Sequence, residues 1–476
     1  MATATEQNVM APHVLVVPCP AQGHMLALLD LTGLLASRGL RLTVVTTPGT
    51  APLLAPLLQA AHPGAVRALT FPFPSHPALP AGVESGKHLP PALFPSLIVA
   101  FAGLRGPLGA WARARSDGPD RVVAVLSDFF CGWTQPLAAE LGVPRVAFSP
   151  CAVCGTAVIQ SLFRRMPEPA EKDDVVAFPD LPGAPAFPWR QMSMLYRSFK
   201  PGDEVSEGLR SNFLWNLDSS GGFVLNTFRR LEERALEAPL ADMGFRPVRA
   251  VGPLAPLDAA TRGGEMAVDA AELCAWLDTF EENDGSVVYI SFGSMAVLQA
   301  PHAAALAAAL ESTGVPFVWA AGPAAPLPDG FEARVAGKGR VIRGWAPQVA
   351  ALRHRAVGWF LTHCGWNSVL EAAAAGVPML AWPMTADQFV NARLLVDDLR
   401  AAVPLSWGGL HAAPEPDDVA RVLHDAAVGG FGQVAARAKE LAEQAAAAVR
   451  QGGDSWMDLE GLARELRDLG SQPKHQ

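Results

Sequence analysis

The sequence predicts an α/β protein built from two Rossmann-like domains. With 476 residues, the chain is longer than one hydrophobic core usually serves, so two domains are expected. Short β-branched segments alternate with helical stretches in both halves, which is typical of parallel sheets made from βαβ units. A segment rich in small and polar residues at 255–270 separates the halves and has the composition of an interdomain linker.

The first half opens with a strand that is followed by a helix. Residues 13–18 read HVLVVP and predict a buried strand, while 25–39 carry leucines at helical spacing and end at a C-capping Gly39. Further strands are predicted at 42–46, 122–126, 146–148 and 223–226. We therefore place an N-terminal domain at residues 1–254.

Two stretches interrupt this alternation. Residues 71–95 are dense in Pro and His, and residues 166–203 mix Pro, Asp, aromatic residues and Met. Loops of this length inside a compact domain are usually lids, binding loops or disordered segments. Mobile surface loops without ligand contact are an equal alternative for any single residue there.

The second half repeats the alternation, which predicts a C-terminal domain at 271–455. A strand is predicted at 287–294 and an Ala/Leu helix at 301–312. Residues 456–476 form a separate tail that contains an amphipathic helix. The sequence does not indicate where this last helix docks.

Composition excludes several classes of protein. Half of the residues are hydrophobic and 17% are charged, as in a well-packed globular protein. A net charge of -9 and a pI near 5.7 argue against a nucleic-acid partner. The N-terminus lacks a secretion-signal pattern, and the longest uncharged run, 146–163, is a poor membrane span. We expect a cytoplasmic protein with no membrane partner.

The cysteines give no sign of a disulfide framework. There are six of them, which is few for this length, and a reducing compartment is the consistent choice. Cys151 and Cys154 form a C-x-x-C without a second pair of metal ligands, so we interpret them as small buried residues after a strand.

The segment HCGWNSVLEAA, which begins at His363, is the most informative local pattern. Asn367 or Ser368 is a suitable N-cap, and the positive end of the following helix suits an anionic phosphate. His363 is placed to donate a hydrogen bond to the same group. Glu371 is suited to accept from two ribose hydroxyls, but Ser368 and Glu371 equally satisfy an ordinary capping box.

A candidate catalytic pair lies in the first half. His24 follows the first predicted strand and Asp128 ends the strand VVAVLSD, so both lie at the carboxyl edge of the sheet, where ligands bind. There the Asp can fix the tautomer of a His that acts as general base. A capping or surface role is the alternative for His24.

Residues 430–435 loosely match the G-x-G-x-x-A fingerprint of dinucleotide-binding sites. They follow a helix-like stretch and not a strand, so this context speaks against a nicotinamide-dependent oxidoreductase.

Residues 345–388 resemble, end to end, the 44-residue signature box of plant family 1 UDP-glycosyltransferases. The family's other motifs appear in order: PAQGH at 20–24, SDFFCGW at 127–133, NTF with LE at 226–232, VGPL at 251–254 and SFGS at 291–294. The resemblance implies a GT-B fold, in which two Rossmann-like domains face each other across a cleft. The acceptor is then expected on the N-terminal domain and the UDP-sugar on the C-terminal one.

The resemblance assigns donor contacts residue by residue. Uracil is expected to stack on Trp345, and Gln348 to contact the nucleoside. The ribose is expected on Glu371, and the sugar hydroxyls on Asp387 and Gln388. A Gln at the last box position is usual for glucose users. The diphosphate is expected at His363, Asn367 and Ser368, with Ser294 and backbone contacts of Trp366 beside it.

The resemblance also implies a mechanism. His24, steadied by Asp128, removes a proton from an acceptor hydroxyl, which displaces UDP from UDP-glucose with inversion to give a β-O-glucoside. No metal or other cofactor is expected, and a monomer that binds a small phenolic acceptor such as a flavonoid is the anticipated form. A catalytically silent UDP-binding protein and a C-glycosyltransferase are the alternatives. Candidate wall residues for a flat acceptor, equally suited to the core, are Phe129, Phe130, Trp133 and Trp189.

Overall fold

The computed structural model describes residues 11–471 except for 62, 88, 172, 239, 255–265, 281–283 and 294–297. Within these residues the chain forms two parallel sheets and one small antiparallel hairpin. The predicted linker at 255–270 lies mostly outside the described residues, and the predicted domain bounds stay a prediction.

The first sheet has seven strands among the described residues, in the order β3-β2-β1-β4-β5-β8-β9, and every adjacent pair is parallel. The order reverses direction between β1 and β4, so a crevice opens there at the carboxyl ends of the strands. The strands of this half, including the hairpin β6–β7, are β1 (His13–Val17), β2 (Arg41–Thr46), β3 (Val66–Thr70), β4 (Val122–Asp128), β5 (Arg145–Ser149), β6 (Val175–Ala177), β7 (Ala186–Pro188), β8 (Phe223–Leu225) and β9 (Val248–Ala250).

The helices of the first half cover both faces of this sheet. Successive side chains of β1 point to opposite faces of the sheet, so Leu15 and Val17 pack in one core while Val14 and Val16 pack in the other. Because both faces are apolar, both need to be covered by helices. The α-helices are α1 (Gln22–Ala36), α2 (Ala55–Ala60), α3 (Phe94–Phe101), α4 (Arg105–Arg113), α5 (Thr134–Leu141), α6 (Val153–Arg165), α7 (Met194–Arg197), α8 (Glu204–Trp215) and α9 (Arg229–Glu237).

The second sheet has six strands in the described part of the chain, in the order β12-β11-β10-β13-β14-β15, again all parallel. Its order reverses between β10 and β13, which creates a second crevice at the carboxyl edge. Its strands are β10 (Val287–Ser291), β11 (Phe317–Ala320), β12 (Gly339–Ile342), β13 (Val357–Thr362), β14 (Met379–Ala381) and β15 (Ala402–Pro404). The prediction of two Rossmann-like domains is therefore confirmed.

The helices of the second half again lie on both faces of their sheet, with separate cores on each side. They are α10 (Ala270–Asp278), α11 (Ala300–Thr313), α12 (Phe331–Arg334), α13 (Gln348–Arg353), α14 (Trp366–Ala375), α15 (Gln388–Arg393), α16 (Pro416–Ala427) and α17 (Gly432–Val449). The helix α18 (Asp454–Ser471) follows them in the chain. A π-helical turn, Leu394–Asp398, continues α15.

The last helix, α18, packs on the first domain. Leu459, Leu462 and Leu466 are buried in the same core as Val14. The carboxylate of Asp458 accepts a hydrogen bond from the N–H of Ala250 in β9 at 2.9 Å. The apolar face of this amphipathic helix thus packs on the N-terminal sheet.

One helical run within the described chain, Pro91–Arg113, is long and apolar enough to cross a membrane by length and composition alone. Half of the most apolar 18-residue stretch of this run is buried inside the protein. Leu97, Phe101 and Leu108 of this run pack in the core of the first domain. The apolar composition of this run is therefore explained by its packing in the core.

The long predicted loop at 166–203 contains the hairpin β6–β7 and the short helix α7. It reaches the second domain, because the guanidinium carbon of Arg393 lies 5.7 Å from the centroid of the Phe187 ring in β7 and 5.0 Å from the centroid of the Trp407 ring. Gln191 also donates to the carbonyl of Trp407 at 3.5 Å. This segment therefore connects the two domains on one side of the cleft.

All six cysteines are in the described chain and are free. Cys151 and Cys154 lie half-buried at the start of α6. Burial raises the pKa of both thiols, so both remain protonated near neutral pH. Their placement after β5 agrees with the interpretation as small packing residues.

Candidate active site

The structure brings His24 and Asp128 together at the crevice between β1 and β4. Nδ1 of His24 lies 2.9 Å from Oδ2 of Asp128, whose other oxygen accepts from the N–H of Phe130 at 2.8 Å. Asp128 is fully buried, while 16% of the His24 side chain is exposed. The carboxylate therefore fixes the proton on Nδ1 and leaves Nε2 able to accept one.

Aromatic rings hold the imidazole in place. His24 stacks on Phe130 with the ring centroids 4.6 Å apart and, more distantly, on Phe129 at 5.9 Å. Phe94 and Phe213 pack edge-on against Phe130. No sequence motif identified Phe94 or Phe213, because their contact with the dyad arises only when the chain is folded.

The candidate acceptor-wall residues fall into different places. Phe129 and Trp133 are each 1% exposed and belong to the core, the second of the two roles considered for them. Phe130 is buried against His24. Trp189 is half-buried in the segment that connects the domains, where it packs edge-on against Tyr196.

A buried thiol lies beside the dyad. Potential ligand atoms of Cys19, His24 and Asp128 all lie within 4.8 Å of one another. Burial, reinforced by the charge of Asp128, raises the pKa of Cys19 well above its ordinary value. The Cys19 thiol is therefore protonated near neutral pH. The expectation that the reaction needs no metal stays a prediction.

The residues that are predicted to bind the diphosphate lie at and after the turn that follows β13. The sequence predicted Asn367 or Ser368 as the N-cap of the following helix, and this prediction is wrong. Gly365 is the N-cap, without a side-chain capping bond, and α14 begins at Trp366. Cys364 adopts a left-handed φ of 62°, which bends the chain sharply into the helix. The first-turn N–H groups thus lack a side-chain cap and suit an anion.

Asn367 points across the cleft. Its amide donates to the carbonyl of Gly23, the residue before His24, at 2.9 Å. The indole of Trp366 also crosses, donating from Nε1 to the carbonyl of Asn226 at 2.7 Å. These two bonds bring the signature box against the edge of the first sheet that carries the dyad.

His363 is a neutral group in this turn. Its pKa is lowered to about 4 by burial, so the imidazole is uncharged at neutral pH and binds an anion only as a hydrogen-bond donor. Two glycines make room for it, because an added Cβ would lie 2.5 Å from its Nε2 at Gly293 and 2.4 Å at Gly365. The predicted phosphate residue Ser294 lies outside the described residues.

Gly365→Ala is expected to weaken UDP binding roughly tenfold, since displacing His363 removes about one hydrogen bond to a charged group. Gly365 has an ordinary φ of -63°, so the added methyl acts on the imidazole and not on the backbone. Isothermal titration calorimetry measures the effect. Gly461→Ala, where a Cβ meets nothing within 4 Å, is the control, and equal affinity in both variants would contradict the role of His363.

The residues that are predicted to bind the nucleoside include a cluster of side chains on α13 and α14. Nε2 of Gln348 donates to Oε2 of Glu371 at 2.7 Å and lies 3.1 Å from Oγ of Ser368. Ser368 lies inside the helix and Glu371 bonds to Gln348, so the capping-box alternative is excluded. Trp345 is half-buried just before α13.

The residues that are predicted to bind the sugar, Asp387 and Gln388, lie after β14. Burial raises the pKa of Asp387, and a hydrogen bond from Asn391 opposes this shift. Oε1 of Gln388 accepts from the N–H groups of Met384 and Thr385 at 2.9 and 3.0 Å. This clamp orients the amide so that Nε2 is the atom left to donate to a ligand.

Two α/β domains thus face each other across a cleft, with a His–Asp dyad on one edge and an anion-binding helix start followed by acidic and amide groups on the other. This fold and site define a GT-B glycosyltransferase. Comparison with known proteins agrees, because residues 11–180 match the family described as glycosyltransferase, N-terminal domain. Residues 255–426 match the family described as UDP-glucoronosyl and UDP-glucosyl transferase. The chain belongs to the plant family 1 UDP-glycosyltransferases.

Several relatives are similar over nearly their whole length. A flavonol 3-O-glucosyltransferase of Arabidopsis thaliana is 44% identical over 96% of this chain and 97% of its own. A flavonol 7-O-rhamnosyltransferase of the same plant is 36% identical over 98% of this chain and 100% of its own. The crystal structure of Arabidopsis thaliana UGT89C1 with UDP-L-rhamnose is 35% identical, with a TM-score of 0.80 over 96% of this chain and 99% of that one.

Proposed function

We propose that this UDP-glycosyltransferase moves glucose from UDP-glucose to a hydroxyl of a flavonoid or a similar small phenol, giving a β-O-glucoside. The observation that carries the proposal is the His24–Asp128 dyad at the cleft edge that faces the signature box. The flavonol 3-O-glucosyltransferase relative supports the acceptor class and the donor. We further propose a cytoplasmic monomer that needs no metal.

In the proposed reaction, Nε2 of His24 takes the proton of the acceptor hydroxyl. The acceptor oxygen forms a bond to C1 of the sugar while the bond from C1 to the diphosphate oxygen breaks, and UDP leaves with that electron pair. Asp128 stabilises the imidazolium that forms. The N-terminus of α14 and the neutral His363 stabilise charge on the departing UDP.

The choice of sugar needs a direct test, since one relative is named a flavonol 7-O-rhamnosyltransferase and a similar crystal structure contains UDP-L-rhamnose. Purified protein is incubated with UDP-glucose, UDP-galactose or UDP-L-rhamnose and a panel of flavonols and simple phenols. The expected product gains one hexose from UDP-glucose, has a β anomeric signal and is cleaved by acid, which a C-glucoside resists. Efficient transfer from UDP-L-rhamnose alone would overturn the donor assignment, and tight UDP binding without any product would favour the silent binding protein.

Gln388→Ala is expected to lower kcat/KM for UDP-glucose roughly 10- to 100-fold, because it removes the amide that is proposed to donate to the sugar and leaves the N–H groups of Met384 and Thr385 without their acceptor. UDP affinity should stay within about threefold, since UDP lacks the sugar that this amide is proposed to bind. Gln433→Ala on the exposed surface of α17 is the matched control. Unchanged kcat/KM in a folded Gln388→Ala protein would remove this residue from the sugar site.

A further inference from the structure

Asn391 lies beyond the signature box and is fully buried. It follows Asp387 by one helical turn on α15. Its Nδ2 donates to Oδ2 of Asp387 at 2.9 Å and to the carbonyl of Cys364 at 3.0 Å. An amide nitrogen carries two hydrogens, and here each has its own acceptor. One side chain thus joins the proposed sugar carboxylate to the turn that begins α14.

The orientation of this amide is determined by its neighbours. A flipped amide would place Oδ1 beside the carboxylate oxygen and the carbonyl oxygen, so that three acceptors would face one another. In the observed orientation, Oδ1 is buried with no hydrogen-bond partner among the described residues. Leaving a buried carbonyl unpaired has a free-energy cost, which the two bonds from Nδ2 offset.

The first domain closes over the same group. A Cβ added at Gly155, in the first turn of α6, would lie 3.3 Å from Cβ of Asp387 and 3.6 Å from Oδ1 of Asn391. The backbone of α6 therefore packs directly on this pair. Asp387 itself follows Ala386, which has a left-handed φ of 59°, so its carboxylate depends on side-chain bonds as well as on the backbone for its position.

We propose that Asn391 is a positioning residue for glycosyl transfer, which holds the Asp387 carboxylate in register with the diphosphate turn so that it can bind the donor sugar. This inference rests on the proposed function, because it assigns Asp387 to the sugar. Asn391 does not itself touch the substrate. Its effect should therefore appear in sugar-dependent steps and should vanish when Asp387 is absent.

The test compares Asn391→Ala and Asn391→Asp with the wild-type enzyme, using whichever UDP-sugar the wild type turns over. Failure of UDP-glucose as donor would then refute the proposed function and leave this test intact. We expect kcat/KM for the UDP-sugar to fall roughly 10- to 100-fold in Asn391→Ala, the loss typical of a hydrogen bond to a charged group. Asn391→Asp should lose at least as much, because it places a carboxylate against Asp387. UDP affinity should change less than about threefold.

Two controls separate positioning from folding. Leu395→Ala removes a buried apolar side chain one turn further on, and it should lower Tm without a comparable loss of kcat/KM. In a double-mutant cycle, Asn391→Ala should cost less than about twofold in an Asp387→Ala background. If Asn391→Ala does not fold, Asn391→Ser takes its place in the cycle. Additive losses, equal weakening of UDP and UDP-sugar, or losses that track Tm as in Leu395→Ala would overturn the proposal.

Discussion

His24→Ala is expected to lower kcat roughly 10³-fold, while UDP affinity stays within about threefold, because a general base usually contributes 10²–10⁴-fold. The dyad lies on the first domain, whereas the residues that are proposed to bind the nucleoside and the diphosphate lie on the second. Loss of the imidazole therefore removes proton transfer and leaves the UDP contacts intact. Product formation under saturating substrates gives kcat, and calorimetry gives the dissociation constant of UDP.

Asp128→Asn tests the same dyad from the other side. The amide keeps the shape of the carboxylate but can present N–H to Nδ1, which favours the wrong tautomer and no longer stabilises the imidazolium. A loss of kcat approaching that of His24→Ala is expected, and the double variant should be little worse than either single one. His424→Ala, at an exposed position on α16, is the control. Equal loss of UDP affinity and kcat in His24→Ala would show that His24 is structural.

Glu371→Ala is expected to weaken UDP binding roughly 100-fold, since hydrogen bonds to a charged acceptor are worth about 1.5–3 kcal/mol each. The carboxylate is proposed to bind the ribose, and it also accepts from Gln348 at 2.7 Å. Removing it therefore withdraws a ligand contact and releases the neighbouring amide. The loss should appear in the dissociation constant of UDP and in KM for the donor more than in kcat.

A matched pair of variants controls for charge and helix stability. Glu371→Gln keeps the length of the side chain but turns an acceptor into a partial donor, so it should also bind UDP poorly. Glu443→Ala on the exposed face of α17 removes the same charge at a position outside the proposed site and should bind UDP normally. Normal UDP affinity in Glu371→Ala would show that Glu371 has a structural role on α14 and does not bind the ribose.

Much of the architecture follows from local patterns. The β-branched segments that became β1, β4, β10 and β13 are nearly uniform in burial, as expected when helices cover both faces of a parallel sheet. His24 and Asp128 were identified because polar residues directly after such strands lie at the carboxyl edge. Neither inference needs knowledge of distant contacts, which is why both could be made from the sequence.

The remaining details depend on contacts between residues far apart in the chain. Asn367 looked like a helix cap, but in the fold its amide bonds to Gly23, 344 positions away, and Gly365 takes the capping position. Asn391 has no motif of its own, and its importance appears only when Cys364 is seen beside it. Local periodicity contains no information about such pairings, so the sequence could not supply them.

The placement of α18 has a consequence for how the protein is made. Part of one face of the N-terminal sheet is covered by leucines of α18, which follows the second domain in the chain. Until Leu466 has been synthesised, the apolar surface that these leucines cover stays exposed. Domains usually fold as units during synthesis, but the core of this first domain is complete only after the second domain has been synthesised.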